Sequence, residues 1–169
     1  MAIQKFYYTV TSSRAFFIQM VFTLNAIYYV TQADLNALQL VLIGTIMEVS
    51  VLLFEMPTGL FADHYGRKKS LAIGTLVIGL AHILEGSMPD FWAIALASAL
   101  WGVGWTFISG AEQAWIADEL NGENLEETFL RGSQFSSFAR FVAILASVSI
   151  AAIWSVQFAI LVAGIMLII

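Results

Sequence analysis

Ionisable side chains stand inside the apolar stretches of this sequence. Glu48 and Glu55 lie in the run at 38–62, Glu112 near the end of the run at 91–116, and Arg140 in the run at 133–154. In a bilayer each such group costs about 2.5–3.5 kcal/mol on insertion scales, so it faces a helix interface or a wet cavity and marks a candidate site. Glu48 and Glu55 are one heptad apart and therefore share a helix face. Glu55, Glu112 and Arg140 fall at similar depth, roughly 10 Å inside one end of their helices at about 1.5 Å per residue. They are expected to cluster, with Arg140 neutralising a carboxylate. Glu48 falls near mid-membrane with no cation at its depth, and an unpaired carboxylate there could carry a proton or hold a cation. Gln19, Asn25, Tyr28 and Tyr29 add polar groups in the first apolar run, and Trp101 and Trp105 add aromatic faces in the fourth. Aromatic faces beside a carboxylate suit an amphipathic cation.

Other constellations point to less. His82 and Glu85, three residues apart near the outer end of the third run, are expected to be exposed to lipid headgroups, since two ligands make no metal site. The chain has no cysteine, which excludes disulfides and Cys-ligated metals. It has no phosphate loop, nucleotide motif or Ser-His-Asp arrangement, so no cofactor, no metal and no enzymatic activity are expected. The seven Lys and Arg residues are scattered, which argues against a nucleic-acid surface.

The elements that must position these groups follow from composition. The 169 residues are 60% hydrophobic and 11% charged, against about 25% charged in soluble domains. The apolar residues fall in runs long enough to cross a bilayer, about 20 residues each. The expected fold is an all-α integral membrane protein. Its spans lie at about 13–30, 38–62, 71–84, 91–116, 133–154 and 156–169, that is, five full spans and a clipped sixth. The first run lacks a small-residue cleavage site and reads as a span that stays. Asn36 is placed to cap the second helix, with Gln39 reaching back as a capping box. Pro57 removes a hydrogen bond to Leu53 and should loosen the second span. Ala139, Ala143, Ser147 and Ala151 form a ridge of small residues that lets a neighbour approach closely. Residues 121–131 read as a short helix lying along the membrane surface. Every Lys and Arg (Lys5, Arg14, Arg67, Lys68, Lys69, Arg131 and Arg140) falls before the first span, between the second and third, or at the start of the fifth. Alternating spans put those places on one side, and the positive-inside rule makes that side, with the N-terminus, cytoplasmic.

Residues 59–71 read GLFADHYGRKKSL and are expected to form, over 63–70, a charged loop. Asp63 falls at a helix C-terminus, where the macrodipole disfavours negative charge and a basic partner is needed. Arg67 follows four residues on, and Gly66 permits the turn that folds it back. Asp118, at the same end of the fourth span, is placed to join them. A glycine, an aspartate four residues on, then glycine and two basic residues, between the second and third spans, resembles the loop signature of the major facilitator superfamily. It is carried here by Gly59, Asp63, Gly66, Arg67 and Lys68. FEMPTGLFAD at 54–63 and SGAEQAWIADEL at 109–120 are similar to segments of bacterial drug-efflux members.

The resemblance implies a carrier of about twelve spans in two six-span halves, with residues 1–169 as the N-terminal half and the C-terminal half absent. It implies that Asp63, Arg67 and Asp118 form a latch that holds one transport state and breaks in the other. It implies that spans one, two, four and five line the substrate path and that the third is peripheral. Asn25, Glu48 and Trp105 then become cavity residues, with Glu55, Glu112 and Arg140 further along the path. The fourth span lacks the arginine that many proton-coupled members carry there. The expected function is alternating-access transport of a small solute, in the form of drug or amphipathic-compound efflux, in a bacterial plasma membrane. The expected partners are the lipid bilayer, a small-molecule substrate, protons, and either the missing half or a second copy. An alternative from another class is a non-transporting truncated fragment, or an assembly partner for a missing half.

Overall fold

The computed structural model describes residues 2–169 and, among them, is helical almost throughout. The helices are α1 (Ala2–Thr31), α2 (Ala37–Tyr65), α3 (Arg67–Ser87), α4 (Phe91–Ser109), α5 (Ala111–Glu119), α6 (Leu125–Ile153) and α7 (Val156–Ile168). The starts of α2, α4 and α7 are capped by side chains that satisfy otherwise orphaned N–H groups. Asn36 and Gln39 form the expected capping box: Gln39 N donates to Asn36 Oδ1 at 3.0 Å and Asn36 N donates to Gln39 Oε1 at 2.9 Å. Asp90 accepts from Trp92 N at 2.9 Å, and Ser155 accepts from Phe158 N at 3.0 Å.

Four helical stretches are long and apolar enough to cross a membrane: α2, α3, α4 with α5 taken together, and α6. α7 is apolar but only 13 residues long, and α1 carries more polar residues along its 30. Two local expectations are corrected. The charged loop at 63–70 is a single residue: α2 runs to Tyr65, α3 starts at Arg67, and Gly66 makes the corner at φ 102°. The surface helix at 121–131 does not exist as a separate element. Residues 121–124 form a turn, and α6 then runs unbroken from Leu125. Within this chain the third span is the most buried of the four. α3 packs against both α4 and α7, and half of its most apolar stretch is buried, against 6% for α2 and 11% for α6.

The remaining contacts close the bundle: α1 lies on α6 and α7, and α2 lies on α4. The ridge on α6 meets α1 as expected, with Ala143 and Ser147 fully buried. Lipid tails give no hydrophobic drive for helices to associate, so close approach at small residues has to hold them. Gly74 and Gly104 bring α3 onto α4, where a Cβ on Gly74 would fall 2.6 Å from the Gly104 carbonyl oxygen. Gly79 and Gly164 do the same for α3 and α7, at 2.9 Å. Pro57 sits within a continuous α2.

Candidate functional site: a charged latch and two cavities

One end of the bundle gathers the start of α1, the α2–α3 corner, the end of α5 and the start of α6. Phe6 and Tyr7 meet Trp115 ring to ring, and Gln4 Nε2 donates to Thr128 Oγ1 at 3.1 Å. The latch residues come together here. Arg67 pairs with Asp118, its Nη1 also donates to the Ala114 carbonyl at 3.0 Å, and its Nη2 lies 3.9 Å from Asp63 Oδ1. Lys68 Nζ lies 2.6 Å from Glu119 Oε1. The guanidinium thus ties the C-terminal ends of α2 and α5 to the N-terminus of α3. The corner at Gly66 makes this possible by placing Arg67 directly after α2. Gly59 lies within α2 with open space beside it.

The expected Glu55–Glu112–Arg140 cluster does not form. Glu112 pairs with Arg14, whose side chain is 8% exposed, and so links α5 to α1. Arg14 was expected at the membrane end, but α1 begins eleven residues before the apolar run, so Arg14 already lies inside the bundle. Glu55 lines a groove beside Asp63 and Arg67 instead. Arg140 is exposed and, among the described residues, makes no ion pair.

Arg14, Glu112 and Arg140 share a cavity of about 680 Å³, which Gln19 and Trp105 also line. A smaller cavity, about 370 Å³, lies toward the other end between α1, α2, α3 and α4. Phe22 and Trp101 line both. Their rings meet edge to face at 5.3 Å, and Trp105 stacks on Trp101 at 5.6 Å. These aromatics therefore form the partition between the two spaces.

Asn25 lines the smaller cavity; Glu48 lines neither and stands exposed on α2. The smaller cavity holds instead the pair that was expected at the headgroups. His82 and Glu85 are 2% and 4% exposed, because this face of α3 is covered by Tyr28 and Tyr29 of α1 and packs toward α4 and α7. His82 Nδ1 lies 3.2 Å from Glu85 Oε2, and the Tyr29 hydroxyl donates to Glu85 Oε1 at 2.5 Å. A sequence signal for part of this existed. Thr11, Arg14, Ile18, Phe22, Asn25 and Tyr29 recur every three or four residues, so they form one stripe of α1, and all six line one cavity or both.

The model of the Major Facilitator Superfamily matches residues 8–169, nearly the whole chain. The chain belongs to this superfamily. Major facilitator proteins are multi-pass membrane transporters, not enzymes, and the apolar helices agree with that. The chain is similar to an uncharacterized MFS-type transporter, YxaM, of Bacillus subtilis, 28% identical over 64% of this chain and 27% of that protein. It is also similar to an uncharacterized MFS-type transporter, MJ1317, of Methanocaldococcus jannaschii, 30% identical over 46% of this chain and 19% of that protein. A third relative is an uncharacterized transporter, BU466, of Buchnera aphidicola, at 28% over 45% and 19%. The matched stretches thus span about a quarter or less of the length of these superfamily relatives. No solved structure matches the chain.

Proposed function

We propose that this chain is the N-terminal half of a major facilitator carrier that moves a small amphipathic solute out of the cell by alternating access. The observation that carries the reading is a pair of cavities, back to back in one bundle and divided by Phe22, Trp101 and Trp105, with a charged latch at one end. Alternating access needs a path blocked at one side while open at the other, and an aromatic partition beside a breakable ion-pair cluster supplies those parts. The latch would hold one state through Asp63, Arg67 and Asp118, with Gly59, Gly66 and Lys68 shaping the corner. Asn25, Trp105, Glu112 and Arg140 would lie along the path. The membrane would be the bacterial plasma membrane, with the latch end cytoplasmic.

A specific observation favours assembly with a second half or a second copy. Glu48 and Glu55 on α2 and Arg140 on α6 stand exposed on helices that are otherwise barely buried. Charged groups are too costly to face lipid, so these faces call for protein or water against them, and Glu48 would reach the path only there. A lone chain without that cover would be a non-transporting fragment.

Vesicles containing the protein, expressed from its natural reading frame, are expected to release preloaded ethidium faster than empty vesicles. Arg67→Ala is expected to change that rate. Equal release from empty and protein-containing vesicles would overturn the efflux reading.

A further inference from the structure

The latch and the aromatic partition leave Arg140 without a role of its own. It lies midway along α6, stands exposed and, among the described residues, makes no ion pair. Phe129, Ser133, Ser136 and Arg140 follow one another at three- or four-residue spacing, so they share one face of α6. All four line the cavity of about 680 Å³. A cation at this position on a spanning helix is costly to leave against lipid. Here its helix face is turned to the cavity, where a solute can reach it.

The charges around that cavity do not cancel. Arg14, Glu112 and Arg140 are the charged side chains that line it. Glu112 is the one carboxylate of the three, and Arg14 takes it. Arg14 is itself short of acceptors, since its Nη1 is buried with no hydrogen-bond partner. Glu112 therefore has no charge to spare for Arg140, and the cavity carries one net positive charge. The other acids of this part of the bundle are placed elsewhere. Glu55 lines the groove beside Asp63, Glu85 lines the smaller cavity, and Asp118 and Glu119 are held by Arg67 and Lys68. A cationic solute was the expectation for aromatic faces beside a carboxylate, but the carboxylate beside these tryptophans is already paired.

We propose that Arg140 forms a carboxylate subsite, and that the solutes this cavity favours are aromatic monocarboxylates. A guanidinium is planar and presents paired N–H groups that a carboxylate accepts side by side. One negative charge cancels the one positive charge of the cavity, whereas an ammonium would add to it and a dianion would overshoot. The Ser133 and Ser136 hydroxyls, on the same face of α6, add donors beside the guanidinium. α4 supplies the aromatic wall. Trp101 and Trp105 stack with their planes 7° apart, and Trp105 is 37% exposed, which leaves a ring face for the body of the solute. The cavity volume, about 680 Å³, suits a drug-sized ligand. The proposal rests on the carrier reading only for the place of this cavity on the solute path. The binding it describes does not depend on transport.

The test is calorimetry on the purified protein, expressed from its natural reading frame, in lipid nanodiscs at about pH 7.5, where a carboxylic acid and a primary amine are both charged. Three ligands share one aromatic body: 4-phenylbutyrate, the neutral 4-phenylbutyramide and 4-phenylbutylamine. The carboxylate is expected to bind at least about tenfold tighter than the amide, as a charge-assisted pair does over a neutral one, and the amine more weakly than either. Arg140→Gln is expected to bring carboxylate and amide to within about twofold of each other while amide binding persists. That preference is a readout that general loosening of the fold would not move selectively. If Arg140→Gln fails to fold, Arg140→Lys replaces it. Lysine keeps the charge but loses the planar fork, and the carboxylate is expected to lose at least about threefold with the amide unchanged. No preference for the carboxylate in the wild type, or a preference that survives Arg140→Gln, or no loss in Arg140→Lys where that variant is used, would each overturn the proposal. An acid of a second half that occupies Arg140 would show itself as the first of these outcomes. Ethidium has no carboxylate, so its release reports passage of an aromatic solute and not this subsite. Carboxylate-selective binding in a protein that moves no ethidium would sink the transport reading and leave this one standing, and ethidium release without that selectivity would do the reverse.

Discussion

At the scale of single residues, the charges of this chain are stabilised by partners on other helices. Arg14 and Glu112 form an ion pair between α1 and α5, and both are largely withdrawn from the surface. Removing one member of such a pair leaves the other charge buried and uncompensated, a loss of about 3–5 kcal/mol. Arg14→Gln is therefore expected to lower thermal stability markedly in detergent. The double change Arg14→Met with Glu112→Met should recover much of the loss, and equal melting temperatures for wild type and Arg14→Gln would contradict the pairing. Arg67 is different, since it is nearly a third exposed and Asp63 and Asp118 are more so. Exposed pairs contribute only about 0–1 kcal/mol. Arg67→Ala is thus expected to leave the melting temperature nearly unchanged while altering the reactivity of a cysteine engineered at the latch end. A large loss of stability with unchanged reactivity would make the cluster a structural clasp. The acidic and basic types at 63, 67 and 118 were legible as partners because their helix-end positions demanded compensation. The partner of Glu112 was not legible, because hydropathy puts Arg14 at the membrane end, and only the early start of α1 at Ala2 brings it to the depth of Glu112.

At the scale of elements, glycine positions decide how the helices meet. Gly74→Val would drive side-chain atoms into the Gly104 carbonyl and the Ile108 side chain. Overpacking of this kind costs typically about 1–3 kcal/mol, and a lower melting temperature is the expected result. Gly66→Ala tests a different cost, since nothing lies within 4 Å of the added carbon there and only the backbone at φ 102° resists it. That strain, at a positive φ with extended ψ, is about 1–3 kcal/mol. A melting temperature unaffected by Gly66→Ala would mean that the corner relaxes to another conformation. Helix existence was legible in the sequence through apolar runs and caps, and the Asn36–Gln39 box appears as read. Helix ends were not, because backbone hydrogen bonding continues through the polar residues 2–12, 63–65, 67–70 and 125–132, where hydropathy has already fallen away.

At the scale of the whole molecule, the sidedness of the charges makes a topological prediction. Reporter fusions after Lys69 and Leu125 should give cytoplasmic signals, and fusions after Ala33 and Met88 external ones. An exchange between these groups would overturn the cytoplasmic placement of the latch. What the sequence determined by itself is what depends on composition and local order: a membrane helix bundle, its superfamily, and a charged corner between the second and third helices. Those follow from the length of apolar runs and from residues adjacent in the chain. Only the tertiary structure decided that His82 and Glu85 are buried with Tyr29, that Arg14 neutralises Glu112, and that Glu48 stands outside both cavities. In lipid every face of a spanning helix is apolar, so hydropathy carries little of the in-or-out pattern that amphipathic periodicity gives in a soluble protein. The choice of buried face passes to close contacts such as Gly74 on Gly104 and Gly79 on Gly164, which join residues far apart in the chain.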